Sequence, residues 1–342
     1  MQNEAVITDS RFKPFKVRTK KRAISYAKWG YIFLIPFFAT FLFFSLIPLL
    51  ETFHYSFYEY WRDGLDVIGP NWVGFKNYGD ILTNSFGEFW KDLGNTMIIW
   101  VMGFVPQIII SLVLAIIFTS VRLKVHGAQF FKTVFYMPNL VMAAAMGLLF
   151  SQLLSQSGPI MSMLFDAGII QEKFNMLNRV WDTRAIIGFI DFLMWFGNTM
   201  LLLMSGVMGI DASIYEAAAI DGSSAWKTFW HITMPLLMPI FIYVFITSMI
   251  GGIQLYDAAT IFTQGNGGAE RSSYTLMMFL FNVVTGGSHD LGHGGALSVL
   301  MFIITGLLSF SVFILTVPKE ERFHFKSRKK KLQKEVQGGI SR

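Results

Sequence analysis

Residues 209–222 read Gly209, Ile210, Asp211, Ala212, Ser213, Ile214, Tyr215, Glu216, Ala217, Ala218, Ala219, Ile220, Asp221, Gly222, and the chain continues through Trp226, Phe229, Trp230 and Ile232 to Pro235 and Pro239. Ser213 followed three positions later by Glu216 has the spacing of a capping box, in which each side chain satisfies a free amide at a helix start. Three successive alanines then supply the best helix former, and Gly222 can take the left-handed conformation that ends a helix. Ser223 or Ser224 can cap a second short helix through Trp226, Phe229, Trp230 and Ile232, closed by Pro235. The spacing therefore predicts a helical hairpin over 211–235. A plain connector between antiparallel helices needs fewer than about ten residues, so this loop has structure of its own.

The segments on either side are long and apolar, 184–208 before the hairpin and 240–262 after it. Four more of the same kind lie at 29–50, 94–120, 133–153 and 293–317. Each is long enough to cross a bilayer core of about 30 Å at a rise of about 1.5 Å per residue. With 53% hydrophobic and 15% charged residues in 342, and a mean hydropathy of +0.49, the chain reads as an all-α, polytopic membrane bundle of about six spans rather than a soluble globule. The hairpin falls between spans 4 and 5.

Charge sets the orientation. An even number of spans puts both termini on one side, and the 28 Lys and Arg residues are unevenly placed. Eight precede the first span and nine follow the last, while Arg122, Lys124, Lys132 and Lys227 lie in the loops of that same face. That face is cytoplasmic by the positive-inside rule, giving N-in and C-in. The basic segments 1–28 and 318–342 flank a transmembrane body at 29–317. They are read as topology signals and contacts for anionic membrane lipid, with no nucleic acid as partner despite the net charge of +6. The first apolar run exceeds a signal-peptide core and lacks a small-residue cleavage site, so it is expected to remain. Pro36, Pro48 and Pro106 lie inside spans, where each frees a carbonyl and is expected to kink its helix.

The chemistry this sequence excludes is broad. Cysteine is absent, which removes disulfides, thiolate metal sites and cysteine nucleophiles. No phosphate-binding loop of the form G-x4-G-K-[ST] occurs; Gly222 with Lys227 and Thr228 lacks the glycine before lysine. The chain is thus expected to hold no catalytic residue and to hydrolyse no ATP itself. His289, Asp290 and His293 resemble metal ligands, but Gly292, Gly294 and Gly295 disfavour a helix there and no third ligand is evident, so no metal is expected.

Asp191 and Asp257 are carboxylates within apolar spans, where an acid costs about 2.5–3.5 kcal/mol and needs a polar partner or a wet cavity. Asp191, Trp195 and Asn198 share one helix face, as do Gln254 and Asp257 with Tyr256 beside them. These residues either line a path or only hold the bundle together. Either could also serve an ion-coupled carrier binding a proton or Na⁺. The hairpin's exposed apolar residues likewise admit two accounts, an amphipathic element resting on headgroups or a knob inserted into a groove on a second protein.

Glu216-Ala217-Ala218, Gly222 after three residues, Ile232 nine later and then Pro235 resemble the EAA-x3-G-x9-I-x-L-P signature of permease subunits of binding-protein-dependent ABC importers. Met234 stands where that pattern has Leu, a swap of similar volume. The Asn71-Trp72-Val73-Gly74-Phe75-Lys76-Asn77-Tyr78 stretch and Asn95-Thr96 are similar to the maltose-permease-like carbohydrate branch. The resemblance implies a bacterial cytoplasmic membrane location and a coupling role for Tyr215, Glu216, Ala217, Ala218, Asp221 and Gly222. It implies four partner chains: a second homologous permease, two cytoplasmic ATPase subunits that bind ATP and Mg²⁺, and an external substrate-binding protein. It further implies a sugar cargo. Aromatic faces and amide or carboxylate acceptors suit sugar rings, so Asp191, Trp195, Asn198, Gln254, Tyr256 and Asp257 are the expected path residues.

Overall fold

The computed structural model describes residues 27–316 apart from 121, 122 and 124. The basic tails, Arg122 and Lys124 lie outside the described residues. The chain divides into two compact units at residue 50. The first contributes helix α1 (Ala27–Phe41), a π-turn (Leu42–Leu46) and the start of α2 (Ile47–Tyr55). The helical run Trp29–Tyr55 is long and apolar enough to cross a membrane.

The second unit opens with an antiparallel pair, β1 (Tyr58–Asp63) and β2 (Asp66–Trp72), which an all-α expectation omits. Tyr58, Tyr60, Trp61, Val67 and Ile68 favour strands, and Gly64, at φ +60°, permits the turn between Asp63 and Asp66. Helices α3 (Lys76–Leu82) and α4 (Phe89–Thr119) follow. Next come α5 (Ala128–Tyr136), α6 (Ala143–Leu153), α7 (Pro159–Asp166) and α8 (Val180–Met208). The hairpin region holds α9 (Ala212–Ile220), α10 (Ala225–Thr228) and α11 (Met234–Ile253). The chain ends in α12 (Asp257–Phe262), α13 (Leu276–Thr285) and α14 (Leu291–Thr316).

The spans differ from expectation chiefly at their ends. Helices α4 and α8 begin at Phe89 and Val180 rather than 94 and 184; in the added turns Asp92 meets Arg271 at 3.4 Å, and Thr183 Oγ1 donates to the Arg179 and Met176 carbonyls at 2.9 and 3.1 Å. The third expected span, 133–153, is a broken one: Ala128–Leu140 and Ala143–Leu153 are bent by 93°. A 3₁₀ turn at Met137–Leu140 carries Pro138, and the Asn139 amide donates to the Met194 carbonyl at 3.0 Å. The bend is therefore pinned to α8.

Helices α4 and α8 form the centre. The pairs Asn95 with Arg184, Gly103 with Gly188 and Ser111 with Phe196 advance together along both helices, so the two run parallel. Residues 120–179 must then carry the chain back across the bundle, which the bent α5–α6 pair does. A Cβ on Gly103 would lie 2.8 Å from the Gly188 carbonyl oxygen, so two glycines permit the close approach. Gln107 donates to Thr199 Oγ1 at 2.7 Å, and Ser111 Oγ to the Phe196 carbonyl at 2.6 Å. Trp100 and Phe104 pack edge-on against Phe245 of α11, with ring centroids 5.4 and 5.2 Å apart, and join the pair to the fifth span.

The glycines at 292, 294 and 295 are helical, contrary to the expectation. A side chain at Gly292 would collide with the Tyr58 carbonyl, and one at Gly295 would lie 2.8 Å from the Thr52 carbonyl oxygen. The lost propensity, about 1 kcal/mol per glycine, is the condition for α14 to pack directly on backbone.

Candidate functional site

The hairpin is built from the cap outward. Asp211, not Ser213, is the N-cap of α9: its Oδ1 accepts the Ser213 amide at 2.9 Å, and Ser213 lies inside the first turn. The capping-box expectation is thus corrected, since a helix starting two residues earlier leaves Ser213 and Glu216 on its body. The Ser213 contacts hold the Asp211 carboxyl below its usual range. The other end closes as expected. Gly222 has φ +73°, its amide donates to the Ala219 carbonyl at 3.1 Å, and the Ser223 amide donates to the Ala218 carbonyl at 2.9 Å, the two bonds of a Schellman motif.

Ser224 then caps α10, accepting the Lys227 amide at 3.3 Å. This second helix is not closed by Pro235. It passes through a π-turn at Phe229–Thr233 directly into α11, so Ala225–Ile253 is one continuous span and the expected 240–262 boundary moves. The π-turn carries the ladder through Met234, whose amide bonds the Phe229 carbonyl, and Pro235, lacking an amide, follows where no donor is needed.

Of the expected coupling residues, Glu216, Ala217, Asp221 and Gly222 are exposed, whereas Tyr215 is half-buried and Ala218 is buried. The Tyr215 hydroxyl meets Thr233 Oγ1 at 3.1 Å. The exposed apolar surface comes from Ile220 and Trp226, 86% and 72% exposed, with Trp230 stacked edge-on to Trp226 at 5.7 Å. The tip is a rigid knob with an apolar crown.

The expected path residues lie on two stretches of the chain, α8 and the break between α11 and α12. Asp191 packs against Gly103 of α4, where a Cβ would lie 3.1 Å from its Oδ2. Trp195 is exposed and Asn198 half-buried on the same face of α8. Gln254 and Asp257 do not share a continuous helix, because α11 ends at Ile253 and α12 begins at Asp257. The chain breaks there as Leu255 and Tyr256 turn away: the Leu255 carbonyl accepts Thr275 Oγ1 at 2.7 Å, and the Tyr256 ring packs on Phe281 at 4.6 Å.

His289 and His293 also part company. His289 Nδ1 faces the Val284 carbonyl at 3.1 Å, while His293 Nδ1 lies 2.8 Å from Asp290 and its ring stacks on Phe86 at 3.9 Å. Asp290 in addition accepts the His293 amide, acting as a helix cap. Among the described residues no group of three or more His, Asp or Glu is placed to hold a metal ion.

Residues 81–317 match the family described as binding-protein-dependent transport system inner membrane component. This chain belongs to that family. The permease is 30% identical over 286 residues to the lactose transport system permease protein LacF of Rhizobium radiobacter, covering 83% of this chain and 92% of that one. It is 30% identical over 283 residues to the multiple sugar-binding transport system permease protein MsmF of Streptococcus mutans, covering 82% and 92%. In fold the permease is similar to a bacterial ABC transporter involved in import of the acidic polysaccharide alginate, with a TM-score of 0.66 at 17% identity over 85% of this chain and 95% of that chain. It is a multi-pass inner-membrane transport subunit.

Sequence reasoning missed one set of polar side chains, Asp92, Asn95, Arg184 and Arg271, which meet at the far end of α4 and α8 from the hairpin. The signal was present in Asn95-Thr96, and in charged residues placed at the ends of apolar runs.

Proposed function

We propose that this permease forms half of the translocation path for a sugar or oligosaccharide in an ATP-driven importer, working by alternating access beside a second homologous permease. The observation that carries the reading is the capped, Schellman-closed hairpin. It holds Ile220 and Trp226 exposed at the end of α8 and runs without interruption into the fifth span. A rigid knob of this kind suits a groove on another protein, and the small exposed Ala217 permits close docking. Two cytoplasmic ATPase subunits, binding ATP and Mg²⁺, grip the hairpin of each permease. Their closure rotates the knob, and the continuous Ala225–Ile253 helix carries that rotation into the membrane. An external binding protein delivers the cargo at the opposite end. The sugar cargo rests on likeness to LacF and MsmF, with Trp195 and Asn198 on α8 and Gln254, Tyr256 and Asp257 near the α11–α12 break as the contacts.

The test is co-purification of the ATPase with Ala217→Asp and Gly222→Val variants. Ala217 is exposed, so its replacement buries a charge only in the docked state. Gly222 has open space around it but a φ that a β-branched residue resists. Both variants are expected to lose the ATPase while the permease stays monodisperse in detergent. Retention of stoichiometric ATPase by both would refute the coupling role.

A further inference from the structure

The Asn95-Thr96 pair takes no part in the hairpin. It fastens the segment 267–276 onto the outer ends of α4 and α8. Arg184 donates through Nη2 to Asn95 Oδ1 at 2.7 Å and through Nε to the Ser272 carbonyl at 2.9 Å. Asn95 Nδ2 donates in turn to the carbonyls of Arg271 at 2.9 Å and Tyr274 at 3.2 Å. Thr96 Oγ1 accepts the Leu276 amide at 2.9 Å. The carbonyls of Arg271, Ser272 and Tyr274 thereby gain side-chain donors, and the segment is joined to the α4–α8 pair.

This clamp holds a local conformation that the chain would not choose alone. Glu270 and Arg271 both have left-handed backbone, φ +55° and +54°, at a cost of order 1–3 kcal/mol each for non-glycine residues. The conformation places Arg271 at the wall of a cavity of about 330 Å³ that Phe86, Tyr274, Phe279, Asn282 and Ser288 also line. The guanidinium lies over the Tyr274 ring at 4.1 Å, and Asp92 Oδ2 is 3.4 Å from its Nη2. Asp92 is fully buried, whereas 43% of the Arg271 side chain is exposed. The fork of five donors that suits a carboxylate is engaged by Asp92 at one long contact only. The cation is seated at its base and open at its tip.

We propose that Arg271 is an anchoring cation for a carboxylate side chain of the external binding protein, received in the cavity walled by Phe86, Tyr274 and Asn282. The inference rests on the binding-protein-dependent reading above. It adds a residue, a cavity and a charge: the 267–276 segment lies at the end of the α4–α8 pair opposite the hairpin, where that partner arrives. Because the clamp joins this segment to α4 and α8, a docked partner bears directly on the central helices.

The test uses the assembled transporter in proteoliposomes, titrated with ligand-loaded cognate binding protein while ATP hydrolysis is read. Arg271→Gln is made together with Asp92→Asn, so that no buried carboxylate is left unpaired. The pair of substitutions is expected to raise the half-saturating concentration of binding protein about tenfold or more and to flatten its dependence on salt. Lys76→Gln, which removes an exposed cation of the segment after β2 and leaves Arg271 and its Asp92 seat in place, is expected to leave that concentration within about twofold of the unmodified value. Arg271→Lys, which keeps the charge but loses the fork, is expected to fall between them. A double variant with unchanged half-saturation, an equal shift in Lys76→Gln, or a change confined to the Michaelis constant for free substrate would each overturn the proposal. If the binding protein fails to stimulate the unmodified transporter, the importer reading itself falls.

Discussion

The Tyr215 hydroxyl lies 3.1 Å from that of Thr233, joining the exposed helix α9 to the π-turn at the base of the fifth span. The resemblance gives Tyr215 a coupling role, and its half-buried side chain also meets Thr233 within this chain. It braces α9 against the helix that continues into the fifth span. The bond matters because α9 and α11 are otherwise linked by a two-bond turn at Gly222 and a widened π-turn, both easier to deform than regular helix.

Replacing Tyr215 by Phe, or Thr233 by Val, is expected to cost about 0.5–1.5 kcal/mol of stability, the usual net worth of one hydrogen bond. The two losses should not add when combined. In the assembled transporter each variant should lower the amount of substrate carried per ATP hydrolysed, because the knob can tilt without turning the span. Thermal unfolding of the four variants of the cycle and the transport-to-hydrolysis ratio check both points; additive losses would show that the hydroxyls do not interact.

Gly103→Ala brings a Cβ to 2.8 Å from the Gly188 carbonyl. The central helices must separate, at a cost of about 1–3 kcal/mol for overpacking. Gly94→Ala on the same helix meets open space and is expected to be neutral or slightly stabilising. Paired thermal-stability measurements distinguish packing from helix propensity.

Arg184→Met leaves Asn95 Oδ1 and the Ser272 carbonyl without their donor, a penalty of about 1–3 kcal/mol for each group not reached by water. The expected readout is local. Limited proteolysis from the outside should cut within 263–275 faster than in the unmodified protein, with cleavage elsewhere unchanged. Equal rates would mean that the segment is held by other contacts.

Asp211 supplies a pH test of the hairpin. Its carboxyl is held below the usual range by the Ser213 contact, so what it adds to α9 is fully present above its unfolded-state pKa. That contribution is lost as pH falls through the lower, folded-state value. The protection of the first turn of α9 against hydrogen exchange, taken relative to the intrinsic amide rate at each pH, should therefore fall in acid. Asp211→Ser, which keeps a capping oxygen without a charge, should remove the acid dependence while keeping most of the neutral-pH protection.

Much of this is legible in the amino-acid sequence. The apolar runs gave the spans and the Gly222 turn was found at its residue, because hydropathy and helix closure act within a few residues. The errors are local too. Asp211 displaced Ser213 as the cap, since any Asp, Ser, Thr or Asn can serve and the spacing to Glu216 favoured the wrong one. Pro235 reads as a stop, whereas the preceding π-turn lets the helix pass it. The strands β1 and β2 were obscured by an aromatic-rich segment that equally suits a membrane edge.

By itself, then, the sequence determined the number and order of the apolar segments, the side bearing the basic charge, and the existence of a capped hairpin between spans 4 and 5. Each depends on composition or on residues within one or two helical turns. Tertiary structure decided that α4 and α8 run parallel through Gly103 and Gly188, that Tyr215 faces Thr233, and that Asn95 receives Arg184 and holds the carbonyl of Tyr274, 179 residues away. Such pairings depend on which polar groups find one another once the apolar surfaces are removed from water. No local pattern in the chain encodes that choice.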